Sequence, residues 1–452
     1  MTMARRHAFK LDFVALQQLV MAVRLRIRAW RRIWSPMSAS PASSAPKKEL
    51  GFVEFVCIVA LMMALNALAI DAMLPALPHI AEDLGLVNDN DRQWVVTAYL
   101  LGFGGAQLIY GPLADRFGRK PVLLVGVGIY VVFSLLATMA PTFDMLILAR
   151  IGQGLGSACT RVLAVSIVRD RYEGRTMARV MSFSFLVFLG VPILAPSIGQ
   201  LIMLVGPWRW IFGGLGLVGV SLIVWASLRL PETQKPEDRL PIQFSRLVSA
   251  YKTALTDRTA MGYTLAMTAV TGALFGFINS SQQIFADVFH AEAIFPAVFA
   301  LIAGGIAAAS LLNARLVVSL GSRKISHTAL IGFTSIAGIH ALVTLTGHES
   351  IWTFAILQTL TMFCFGMIAG NFGAMAMETM GHIAGTAASI QGFISTIIGS
   401  LLGFAIGQQF NGTVTPMAVG FTAMGLIALA CVLYAERGRL FQAHHAKPLP
   451  GA

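Results

Sequence analysis

Charge is scarce in this 452-residue chain: 12% of it is Asp, Glu, Lys or Arg, against 56% hydrophobic residues. A soluble domain carries roughly 25% charged residues to keep its surface in water, so water is not the main solvent here. Cysteine is scarce too. The four cysteines, Cys57, Cys159, Cys364 and Cys431, show no CxxC spacing and all fall in apolar runs. A disulfide framework and a cysteine zinc site are thereby excluded, and small core residues are expected. No Gly-Lys dipeptide occurs, so there is no Walker A loop and no ATP hydrolysis by this chain. No HExxH or other metal spacing appears among the nine histidines. Gly214, Gly216 and Gly219 match GxGxxG, but they sit inside an apolar run with no strand before them, which excludes a dinucleotide site.

What is present is hydrophobic length. Mean hydropathy is +0.73, and the apolar residues fall in runs of about 20, the length an α-helix needs to cross the ~30 Å hydrocarbon core of a bilayer. The breaks between runs give spans of 52–77, 94–114, 121–140, 144–168, 178–204, 208–230, 261–285, 294–319, 325–346, 350–377, 384–408 and 414–436. The expected fold class is an all-α integral membrane protein with twelve transmembrane helices. The charged segment 231–260 divides them six and six, so the expected organisation is a tail 1–51, a six-helix bundle 52–230, a linker 231–260, a second bundle 261–436 and a tail 437–452. A basic turn after the second helix, Gly118-Arg119-Lys120, recurs after the eighth as Gly321-Ser322-Arg323-Lys324, which fits two pseudo-symmetric halves.

A net charge of +12 raises the question of nucleic acid. The basic residues alternate from loop to loop instead. Arg116, Arg119 and Lys120, then Arg169, Arg171, Arg175 and Arg179, then the linker, then Arg323 and Lys324, then the tail all fall on one side, while the other side has little more than Arg92 and Arg209. The positive-inside rule makes the first side cytoplasmic, with both termini. Before the first span, residues 5–34 mix arginines with apolar residues as a surface amphipathic helix does. The competing reading is a start at Met37, with 1–36 not part of the protein.

Several polar groups lie inside spans. In the first, Ala60, Ala64, Ala67 and Asp71 share one face, so a carboxylate follows a stripe of small residues. Hydrocarbon penalises its charge, as a proton carrier requires; the alternative is a structural ion pair with Arg150. In the fourth, Arg150, Gln153 and Gly154 share a face. A guanidinium in hydrocarbon costs at least ~2.5 kcal/mol, so Arg150 is expected to meet a water-filled cavity or a carboxylate, or to snorkel. Arg161, eleven residues on, is expected to be buried on the same face, without an assigned role. Candidate cavity residues are Tyr99, Phe103, Gln107, Gln153, Asn279, Gln282, Gln283, Asn371, Glu378, Gln391 and Ser395, polar or aromatic groups on single helix faces that equally suit helix–helix contacts.

The loop after the second helix reads Gly111-Pro-Leu-Ala-Asp115-Arg116-Phe-Gly118-Arg119-Lys120-Pro-Val-Leu. It resembles the GxLaDrxGrkxxl signature of the major facilitator superfamily at every defined position. The fourth helix, with Arg150, Gln153, Gly154 and Gly156, is similar to that family's RxxQGxG motif. In the fifth, Pro192, Ala195, Pro196 and Gly199 resemble its antiporter motif GPxxGG, with Ala195 and Gln200 in place of two glycines. Asp71 with the following LPALP, the WRWIF and LPET strings, GTAAS at 385–389 and NGTVTPM at 411–417 resemble the bicyclomycin/chloramphenicol (Bcr/CflA) exporters.

The resemblance implies the major facilitator fold and export of drug-like molecules in exchange for protons, from a bacterial inner membrane. On it, Asp71 and Arg150 couple protons. Gly111, Asp115, Arg116, Gly118, Arg119 and Lys120 form a latch, and Pro192, Pro196 and Gly199 a kink. The expected partners are a small molecule, protons and lipid, with no cofactor or metal and the proton gradient as energy source; a monomer is expected because one chain holds every span. The competing functions are export of one metabolite, such as an amino acid or sugar, and a sensor that no longer transports. No nucleophile–base or metal set suggests an enzyme.

Overall fold

The computed structural model describes residues 50–239 and 244–441. Both readings of residues 1–36 fall outside the described residues. Twelve long helices run through the described chain: α1 Phe52–Asp71, α2 Trp94–Phe117, α3 Arg119–Thr138, α4 Phe143–Arg171, α5 Gly174–Val205, α6 Arg209–Arg229, α7 Arg258–Gln283, α8 Phe295–Leu320, α9 Ser322–Leu345, α10 Ile351–Ala376, α11 Ala384–Gln408 and α12 Thr415–Ala435. Among the described residues there is no strand.

Eleven of the long helical segments are long and apolar enough to cross a membrane. The remaining one, α2, has the length but dilutes its hydropathy with Gly102, Gly104, Gly105 and Gln107. Large apolar side chains such as Leu148, Leu194, Leu217 and Trp352 lie exposed on the helices, as lipid-facing groups do.

Helix ends follow local chemistry. Thr142 accepts a hydrogen bond from the Met145 N–H at 3.4 Å at the start of α4, and Asp257 accepts from Ala260 N–H at 2.7 Å at the start of α7. Gly118 and Gly321, at φ of +100° and +79°, form the tight α2–α3 and α8–α9 turns.

Two differences from the sequence reading stand out. The expected first span 52–77 is broken: α1 stops at Asp71, a 3₁₀ turn Leu74–Ala76 follows, and a short helix Leu77–Asp83 begins after it. Pro75 and Pro78 lie at the starts of these two pieces, where a missing N–H and a fixed φ are tolerated. Asp71 is therefore at a helix end. The linker also contains a helix, Phe244–Thr256, whose Tyr251 and Ala254 pack with Met261 and Ile390.

The two halves pack alike. In the first, α1 lies on α5, and α4 on both α2 and α3; in the second, α7 lies on α11, and α10 on both α8 and α9. The halves meet through α2 with α11 and α5 with α8. Glycines on α4 let the backbones close: a Cβ on Gly154 would run into the Tyr99 carbonyl, and one on Gly156 into the Tyr130 N–H.

Candidate functional site

The interior of the first half holds a polar network around Arg150, which is fully buried. Its Nε donates to the Val95 carbonyl at 2.8 Å and one terminal nitrogen to the Ala69 carbonyl at 3.0 Å. Another donates to Gln153, whose own amide donates to Ser134 Oγ at 2.8 Å. The guanidinium lies 4.5 Å from the centre of the Tyr99 ring. Among the described residues it meets no carboxylate. Arg150 therefore meets neither the water-filled cavity nor the carboxylate expected of it, and neither the alternative ion pair with Asp71 nor snorkelling occurs, because carbonyl dipoles and a ring face take up the charge. Tyr99 donates to Ser157 Oγ at 2.7 Å and also contacts Asn66 Oδ1 at 3.1 Å; Asn66 in turn donates to Thr160 Oγ1 at 2.8 Å. Phe103 stacks on Tyr99.

Asp71 is nearly buried, at 5% exposure, and among the described residues it has no ion pair or hydrogen bond. Its neighbour Ala72 is pressed by α5. A Cβ on Gly199 would run into the Ala72 carbonyl, so glycine is required for α5 to reach the end of α1. Between Pro192, half-buried, and Pro196, buried, α5 remains helical throughout.

At the end of the molecule that bears Arg92, the halves are bonded to each other. Arg92 pairs with Asp287 at 2.7 Å. Gln93 donates to the Gly407 carbonyl at 3.0 Å and bonds Gln283, while Gln283 donates to Asn90 Oδ1 at 2.7 Å. Asn90 donates to the Phe410 carbonyl at 3.1 Å, and Gln408 returns a bond to the Asn90 carbonyl at 2.8 Å. Trp94 lies against Phe404 with ring centres 4.2 Å apart. Deeper, Asn279 reaches Thr97 Oγ1 at 3.4 Å and Gln107 donates to Thr396 Oγ1 at 3.1 Å.

The opposite end is built differently. Arg119 binds Asp115 and, at 3.0 Å, Asp170. Glu232 accepts from the Arg119 and Lys120 N–H groups at 3.0 and 3.2 Å, and so caps the start of α3. Lys120 donates from Nζ to the Ser227 carbonyl at 2.8 Å. Arg116 is exposed and lies over the Phe117 ring at 5.5 Å. Gly111 faces Ser389 of α11, its would-be Cβ 3.7 Å from Oγ. The second half repeats the plan: Arg323 binds Glu378 at 2.7 Å and Glu436 at 2.8 Å, and Tyr263 donates to Glu436 and lies 3.0 Å from His327 Nε2. Each of these ion pairs stays within one half.

The candidate cavity residues therefore scatter over distinct places. Tyr99, Phe103 and Gln153 belong to the buried network of the first half, whereas Gln107, Asn279 and Gln283 join the halves. Asn371 donates to Asn313 at 2.7 Å inside the second half. Gln391, half-buried, lines a small crevice with Thr264, Met377 and Ile390. Arg161 is the clear departure: it is exposed, not buried. The bonding partners Asn90, Gln93, Asp170, Asp287 and Gln408 were not singled out as site residues. Glu232 alone of these partners lies in a recognised sequence string, LPET.

A model of the Major Facilitator Superfamily matches residues 59–404. The chain belongs to the major facilitator superfamily. It is similar to the bicyclomycin resistance protein homolog of Haemophilus influenzae, 27% identical over 84% of this chain and 95% of that one. It is also similar to the multidrug resistance protein MdtL of Escherichia coli O157:H7, 28% identical over 86% and 97%. Among solved structures, a D-xylose-proton symporter superposes with a TM-score of 0.67 at 12% identity, covering 85% of this chain and 97% of that one. The chain is accordingly a multi-pass membrane transporter with the major facilitator fold, and not an enzyme.

Proposed function

We propose that this major facilitator protein exports small drug-like molecules from the cytoplasm in exchange for protons, by alternating access between its two halves. The observation that carries the reading is Asp71, a nearly buried carboxyl without a partner among the described residues, at the end of α1. An ionised carboxylate taken out of water costs several kcal/mol. Whatever neutralises it, a proton in the first place, is therefore tied to the opening and closing around it. The names of the relatives, a bicyclomycin resistance protein homolog and a multidrug resistance protein, support drugs as cargo.

The distribution of basic residues supports a cytoplasmic Arg119 end, cytoplasmic termini and an outer Arg92 end in a bacterial inner membrane. On that orientation the structure is closed to the outside. Loss of the Arg92–Asp287 pair and the amide bonds around it opens the outer side, where Asp71 takes a proton and cargo leaves. Closure returns Asp71 toward the cytoplasm, where the proton departs and cargo binds. Arg150 holds the frame rigid while this happens. One charge crossing 100 mV releases ~2.3 kcal/mol, which drives export without ATP. One chain carries both halves, and the working unit is a monomer.

The test is drug accumulation in bacteria stripped of their own exporters. The wild-type protein lowers accumulation of a chloramphenicol-like drug. Asp71→Asn, present at the same level in the membrane, does not, and an uncoupler removes the wild-type effect. Export that survives Asp71→Asn overturns the proton role of Asp71.

A further inference from the structure

Arg161 lies well inside α4, ten residues before its end at Arg171, which is about 15 Å along the axis. Its side chain is exposed. Among the described residues it has no hydrogen bond and no ion pair, and no neighbouring carboxylate acts on it.

Its direction follows from the neighbours of α4. Thr160 is bonded to Asn66 on α1, and Gly154 is pressed against the Tyr99 carbonyl on α2. Arg161 projects between those two contacts. At about 100° per residue it lies within ~20° of Arg150 and roughly 120–140° from the exposed, lipid-facing Leu148 and Leu155. Val165, one turn on, is exposed on the same side. The side chain therefore opens into the space between the halves, on the side where their ion pairs do not join them.

Arg315 of α8 shows what an ordinary membrane arginine does. It is exposed five residues from the end of its helix, on the same stripe as exposed Leu301 and Leu311, and snorkels. Arg161 has neither that position nor that face. A guanidinium at this depth stays ionised only in water or against an anion, and it offers a planar fork of donors suited to carboxylate or phosphate.

We infer that Arg161 is the anion-binding group of the central cavity, and that the preferred cargo of this transporter carries a carboxylate or similar anionic group on an apolar body. The inference rests on the export reading above and names its substrate class. It excludes lipophilic cations as the main cargo, since they would meet an unopposed positive charge.

The experiment measures binding by isothermal titration calorimetry on the purified full chain, using two amphipathic carboxylates (nalidixate and fusidate), neutral chloramphenicol and cationic tetraphenylphosphonium. The wild type binds the carboxylates more tightly than tetraphenylphosphonium. Arg161→Gln raises the carboxylate Kd about tenfold or more, the loss of a charge-assisted contact, and leaves chloramphenicol unchanged. Arg161→Lys, which keeps the charge but not the fork, gives a smaller rise, and it decides the matter by itself if the Gln variant does not reach the membrane. A wild type that binds neither carboxylate, substitutions that leave their Kd unchanged, or equal weakening of every probe overturn the inference. Transport of the same probes in energised everted vesicles separates the two readings. Arg161-dependent binding without export keeps the anion site and removes the export function, whereas proton-driven export of chloramphenicol with no carboxylate binding does the reverse.

Discussion

The two halves of this transporter carry the same ionic cluster in different surroundings. Each has a glycine at positive φ before a basic residue, a carboxylate at the end of its fourth helix, and another just past its sixth. In the first half Arg119 holds Asp115 and Asp170, whose side chains are 45% and 18% exposed, while Glu232 caps a helix. In the second half Arg323 holds Glu436, 1% exposed and backed by Tyr263 and His327. One carboxylate in each cluster is about equally exposed, Asp115 at 45% and Glu378 at 44%, so the difference lies in the other: Asp170 is partly solvated and Glu436 is buried. Repetition preserved where charges sit along the chain; packing decided what each is worth.

That contrast can be broken from its strong side first. Arg323→Gln removes a cation from beside the buried Glu436, an effect on the order of 3–5 kcal/mol, so the melting temperature in detergent should fall sharply. Arg119→Gln exposes its stranded carboxylates to water and should cost about 1–2 kcal/mol by the same assay. Equal losses would show that the two clusters are equivalent after all. Glu232→Gln removes charge from the cap at the start of α3 and should cost less than about 1 kcal/mol.

A second contrast sets the two ends of the molecule apart: the halves are bonded to each other at the Arg92 end and each to itself at the Arg119 end. Arg92→Gln with Asp287→Asn should favour the opposite state by about 1 kcal/mol, with little change in stability. Cys57, exposed near the Arg119 end of α1, reports the shift. In a variant with the other cysteines replaced, its labelling by a membrane-impermeant maleimide from the Arg119 side should slow, by at most the about fivefold that ~1 kcal/mol implies. Unchanged labelling would mean that this ion pair does not hold the closed state.

The helices were legible because a bilayer asks for apolar runs of about 20 residues, and α2 to α12 begin and end within a few residues of those runs. The loop Gly111 to Lys120 was legible because positive φ at Gly118 and a basic turn leave local marks. The break in α1 was written in Pro75 and Pro78 but hidden by unbroken hydrophobicity. Of the partners of Arg150, only the near one was legible. Gln153 lies three residues away, whereas Ala69 and Val95 contribute carbonyls, which carry no residue signature.

By itself, then, the amino-acid sequence determined that this chain crosses a membrane through apolar helices divided into two halves, and it supplied the superfamily motif. Those properties depend on residues close together in the chain. Tertiary structure alone decided that Arg92 meets Asp287, that Asp71 has no counter-charge among the described residues while Arg150 is satisfied by carbonyls, and that Arg161 opens into the space between the halves. Each of these depends on which surfaces of distant helices come together, and a charge in hydrocarbon takes its role from those neighbours.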